Sequence, residues 1–139
     1  MIEQLPDTLP NKPSALIRLA LGDLKKAENT PGYEVDMTAW LWQTNGPCLV
    51  CFAGGVMAFS LNQKPICGDE LCPSELGEKL GLKLCVLNDF RCGDIVHGLN
   101  RLGIKSNVKD RDIPNYEDYR DGFFAAMNEL IIELEEEGN

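Results

Sequence analysis

Cys48-Leu-Val-Cys-Phe-Ala-Gly-Gly-Val-Met-Ala58 is the stretch on which the reading of this chain turns. A Cys-x-x-Cys pair opens into a run of small and apolar residues, so it can serve as a metal-ligand pair, a redox pair or buried core. Asn45-Gly46 turns the chain just before it, and a strand returning through Cys48 to Ala53 would make a hairpin. Pro47 suits the first turn of a helix, however, and Ala53, Gly54, Gly55 and Ala58 suit a helix that others approach closely. We therefore expect a buried central helix from about 47 to 61, with strand against helix over 48 to 53 as the open choice.

Upstream, residues 1 to 12 carry Pro6 and Pro10 and are expected to form an extended arm, while Pro13 suits a helix start. Leu16, Ile17, Ala20, Leu21, Leu24 and Ala27 recur at helical spacing, which predicts a helix over 13 to 28 stopped by Thr30-Pro31-Gly32. Tyr33, Val35, Met37, Ala39 and Leu41 alternate with polar residues, so a short strand or extended segment is expected near 33 to 42.

Downstream, 61 to 71 reads as a loop. Short helices are expected from Pro73 to Leu80 and from Leu82 to Arg91, and Asp94 is placed as the N-cap of a third that ends at Gly103. After a charged connector over 105 to 114, Asn115 is expected to cap a long helix to about 137, with Phe123, Phe124, Met127, Leu130, Ile131 and Leu134 as its apolar stripe. The fold class is thus mainly α: one domain over 1 to 139, a helical array of about five to six helices with a minor β segment. A chain of 139 residues, 44% of them hydrophobic, can bury such a core unaided.

The net charge of −9 is uneven: residues 117 to 139 hold eight acids against Arg120 alone. Phosphate binding by that end is disfavoured, and no direct nucleic-acid partner is expected. No apolar run approaches the roughly 20 residues of a membrane span, and the first residues lack a signal peptide's basic and apolar regions, so a cytoplasmic location is expected. There thiols stay reduced, and the six cysteines read first as buried thiols or metal ligands.

Four of them, Cys48, Cys51, Cys67 and Cys72, come near the spacing of a zinc site, although the second pair is spaced by four and apolar residues surround the first. Gly46-Pro47-Cys48 at a helix start has redox logic, because a helix N-terminus lowers a thiol pKa. Zinc or thiol-redox chemistry is the alternative; the leading expectation is no cofactor and no enzyme activity. His97 has no poised partner nearby in sequence, and neither a nucleophile elbow nor a phosphate-binding glycine pattern occurs. Cys67-Gly-Asp69 and Cys92-Gly-Asp94 repeat a tripeptide in which each Asp is placed to cap the next segment of chain.

Two surfaces are candidates for a partner: Trp40 and Trp42 as aromatic anchors, and the acids of the last helix, Glu129, Glu133, Glu135, Glu136 and Glu137. Anions at a helix C-terminus oppose its dipole, which suits an acidic surface made to engage a basic one. The run from Cys48 to Ala58, followed by Leu87-Asn-Asp-Phe-Arg91 and a helix with Val96 and Leu99, resembles small uncharacterised phage and prophage proteins. More distantly it resembles a bacterial helical domain of unknown function. The resemblance covers about residues 35 to 103 and offers no catalytic residues. It implies a helical fold, a phage or mobile-element origin, and a role in binding and inhibiting a host or defence protein.

Overall fold

The computed structural model describes residues 5 to 139. Helix α1 (Pro13–Asn29) leads to the short strands β1 (Tyr33–Val35), β2 (Leu41–Gln43) and β3 (Cys48–Val50), and then to helix α2 (Phe52–Phe59). A two-residue strand, β4 (Glu70–Leu71), precedes a single 3-10 turn at Pro73–Leu76 and the helices α3 (Glu78–Arg91), α4 (Ile95–Arg101) and α5 (Arg120–Glu136). The architecture is mainly α with a small four-stranded sheet ordered β1-β3-β2-β4; β1 runs parallel to β3, and β2 antiparallel to both β3 and β4.

Within the 48–53 segment Cys48–Val50 is the returning strand of the hairpin, and the helix expected from 47 starts only at Phe52. Cys48 and Val50 are buried while Leu49 is half-exposed, a period of two that places a strand between β1 and β2. Cys51 is extended (φ −90°, ψ −168°), and its Sγ accepts the Gly54 amide at 3.3 Å, so the thiol serves as the N-cap of α2. The expected segment over 33 to 42 is split by an Asx turn in which Asp36 Oδ1 accepts both the amide and the hydroxyl of Thr38. Residues 70–71, expected in a loop, instead add the edge strand β4.

Residues 73–91 depart from the expected pair of helices. The break falls at Gly77, whose φ of +117° is closed to other side chains, and α3 then runs unbroken through Gly81. A Cβ on Gly81 would lie 3.1 Å from the Pro73 carbonyl, so this glycine lets the 3-10 turn lie against α3. Asp94 makes no side-chain cap; the Val96 amide at the start of α4 is taken by Asp110 Oδ1 at 2.9 Å. What the repeated Cys-Gly-Asp tripeptides share is a left-handed glycine, φ +91° at Gly68 and +88° at Gly93. Asn115 caps a separate turn, accepting the Glu117 amide, and α5 begins only at Arg120.

α2 is apolar on every side, with all but Phe59 buried, because α1, α3 and the sheet enclose it. Phe52 meets Phe123 of α5 edge-on at 5.5 Å, and Phe123 meets Phe124 and Tyr116, which ties the amphipathic last helix to the centre. The acidic side chain of Asp23 is also buried, at 1% exposure, with Ser60 Oγ donating to it. Burial raises its pKa above the ordinary 3.8, against the lowering by the Ser60 hydroxyl and Lys26. Between 3.8 and the raised value the folded chain holds more protons than the unfolded one, so this carboxyl subtracts stability as pH rises through that window. Asp23→Asn, which keeps an acceptor for Ser60, is expected to unfold at higher denaturant than the native chain at neutral pH. The gap should close towards pH 3.8; a gap independent of pH would refute the assignment.

Candidate functional site

Alternation along the strands sorts the sheet into two faces. Leu41, Cys48 and Val50 face the core, and Glu34, Leu49 and Trp42 take the opposite side. The register aligns these outward residues: Glu34 pairs with Leu49, Leu49 with Trp42, and Trp42 with Glu70 of β4. Paired residues lie about 5 Å apart, so Glu34, Leu49, Trp42 and Glu70 form one row across all four strands. Trp42 is 41% exposed, unusual for a tryptophan on ordered backbone. Cys67 Sγ donates to Asn45 Oδ1 in the hairpin loop, and Ile66 beside it is 74% exposed.

The two tryptophans have different roles. Trp40 is half-buried against the core; its amide donates to Glu70 Oε2 at 2.8 Å and its carbonyl accepts the Cys51 amide at 3.1 Å. Trp40 therefore fastens β4 and the start of α2, and Trp42 is left as the aromatic group offered to solvent. Periodicity over 33–42 identifies Glu34 as outward-facing. Glu70 is invisible to sequence reasoning because a two-residue edge strand carries no periodic signal, and Leu49 because its segment reads as helical.

Of the five candidate acids, Glu129, Glu133, Glu135, Glu136 and the C-cap Glu137, three are engaged within the chain. Glu133 pairs with Arg111, Glu135 with Arg18 at 2.7 Å, and Glu137 accepts the Ser106 hydroxyl and the Asn107 amide. Those two donors hold the Glu137 carboxyl below its usual pKa. Glu129 and Glu136 are exposed and make no ion pair among the described residues. The segment is thus a fastened helix end. Reversing Glu129 and Glu136 to Lys is expected to leave stability within about 0.5 kcal/mol, whereas Glu133→Lys should cost about 1 kcal/mol or more by stranding the half-buried Arg111. Urea unfolding of the two variants decides; equal midpoints would mean that the Arg111 pair does not hold the helix.

The four cysteines of the metal alternative are dispersed in role. Cys48 lies in β3, Cys51 caps α2, Cys67 packs on the hairpin loop, and Cys72 precedes the 3-10 turn. Among the described residues no group of three or more His, Cys, Asp or Glu side chains converges where it could hold a metal ion. Burial raises the Cys48, Cys51 and Cys72 thiols, with Glu70 and Glu75 pushing Cys72 in the same direction, which disfavours the thiolate that redox chemistry requires. At Cys51 burial outweighs the bond from the Gly54 amide. His97 is exposed on α4, 4.0 Å from an Asp89 carboxylate that Arg101 also holds at 3.0 Å.

A shallow cavity of about 360 Å³ between the 3-10 turn, α3 and Arg101 of α4 has Cys85 on its wall. Glu78 and Arg101 also line it, and Arg101 is already paired with Asp89. Among the described residues no helix is long and apolar enough to cross a membrane. No family model, curated protein or solved structure matches this chain.

Proposed function

We propose that this chain is a small acidic accessory protein, of phage or mobile-element origin, that acts by binding and inhibiting another protein. The observation that carries the reading is Trp42, exposed at 41% at the centre of a sheet whose opposite face is core. Tryptophan is the side chain most enriched among binding hot spots, and a rigid sheet holds it at little entropic cost. The acidic exterior supports a protein partner over a phosphate backbone. The resemblance of residues 35 to 103 to small phage and prophage proteins supports the origin and the inhibitory role.

Affinity capture from a bacterial host lysate with native chain and with Trp42→Ser tests the reading. Trp42→Ser is expected to keep its melting midpoint and to lose the captured protein. Retention of the same protein at the same yield would sink the assignment of this surface.

A further inference from the structure

Resting on that reading, we infer that the outer sheet face takes a basic segment of the partner, with a Lys or Arg of that segment lying over the Trp42 ring. The row Glu34, Leu49, Trp42, Glu70 places two apolar side chains between two carboxylates. With strands about 4.8 Å apart, it spans about 14 Å. Among the described residues no Lys or Arg pairs with Glu34 or Glu70, so both carboxylates keep their charge for a partner. Glu70 is held in place by the Trp40 amide, which donates to its Oε2 at 2.8 Å. Indole is the strongest ring for a cation, and a carboxylate one strand away adds attraction at the same spot.

The row also disfavours the other occupants. A second copy of this chain docked face to face would oppose acid rows on molecules of net charge −9. An anionic membrane or a nucleic acid meets the same repulsion. A peptide face with one cation over Trp42 beside Glu70, an apolar residue on Leu49 and a second cation at Glu34 satisfies the whole row.

The test uses two fluorescein-labelled amphipathic peptides, one of Leu and Lys and one of Leu and Glu, read by anisotropy at low and high salt. The Leu–Lys peptide is expected to bind and to weaken with salt, and the Leu–Glu peptide is expected not to bind. Trp42→Ala and the double change Glu34→Gln with Glu70→Gln should each weaken binding about tenfold. Gln at 70 keeps an acceptor for the Trp40 amide; should that variant melt early, Glu34→Gln alone replaces it. Glu129→Gln with Glu136→Gln changes net charge equally on α5 and should leave binding unchanged.

Equal losses in this control, or native binding by Trp42→Ala, would overturn the inference. So would association of the native chain with itself, or Trp42-dependent binding to phosphatidylcholine vesicles without binding of the Leu–Lys peptide. If Trp42→Ser loses the captured host protein while the Leu–Lys peptide fails to bind, the protein-binding reading stands and the basic partner falls.

Discussion

Gly54→Ala is expected to destabilise the protein by at least about 3 kcal/mol, a large share of what a domain this size holds. A Cβ at position 54 would lie 1.7 Å from the Trp40 carbonyl oxygen and 2.8 Å from its carbon, against backbone that has no rotamer to escape into. That carbonyl accepts the Cys51 amide at 3.1 Å, and the Trp40 amide is bonded to Glu70. Moving it therefore loosens the start of α2 and the edge of the sheet together. The neighbouring Gly55 is the control: its Cβ would meet Asp23 and Leu24 backbone at 3.5 to 3.6 Å, ordinary contact. Gly55→Ala should then be neutral or gain up to about 1 kcal/mol from helix propensity. Urea midpoints of both variants settle the matter; a Gly54→Ala chain as stable as the native one would mean that Trp40 and α2 are not in that contact.

The same stretch explains how far the sequence could be followed. Ala53, Gly54, Gly55 and Ala58 announce a closely approached helix, and α2 is that helix. What the pattern could not supply is the identity of the approaching element. Gly54 is small for the Trp40 carbonyl, contributed by the chain just before β2, a contact set by hairpin register rather than by helix packing. Pro47 reads as a helix start, yet the strand is set by the chain entering β1, where the Gly32 carbonyl accepts the Cys48 amide at 2.7 Å. A non-local hydrogen bond of that kind leaves no trace in local propensity. The helices with strong periodicity, α1 and α5, were legible for the opposite reason, since their apolar stripes carry the information locally.

The candidate surface was legible in part. Two tryptophans two residues apart on alternating sequence should share a face, but the turn at Asp36–Thr38 ends the strand, and β2 begins only at Leu41. Trp40 therefore stays outside the ladder and becomes a fastening, while Trp42 enters it facing solvent. The acids of α5 were visible as charge, whereas their partners Arg18, Arg111 and Ser106 lie 22 to 117 residues away, beyond any local pattern.

Lys83→Met is expected to cost about 2 to 4 kcal/mol and to free the segment before α1. Lys83 is 7% exposed on α3, and its ammonium donates to both carboxylate oxygens of Asp7 at 3.0 and 2.8 Å, to the Leu9 carbonyl at 3.0 Å and to Asn11 Oδ1 at 2.8 Å. Residues 5 to 12 contain neither helix nor strand, so this one cation takes the place of regular hydrogen bonding. It also seats Leu9, 5% exposed, in the core. Methionine preserves the stem and its packing but leaves the buried Leu9 carbonyl without its donor and the Asp7 carboxylate with the Leu9 amide alone, while the exposed Asn11 turns to water. Asp7 keeps some contact with water, its side chain 23% exposed, which holds the loss below that of a fully buried pair. Adding Asp7→Asn to Lys83→Met should recover part of the loss, because the stranded charge is then gone. Limited proteolysis should cut before Pro13 in the single variant and spare the native chain. Equal resistance in both would show that Leu9 alone holds the segment, and a double variant no more stable than Lys83→Met would show that the stranded Asp7 charge was not the cost.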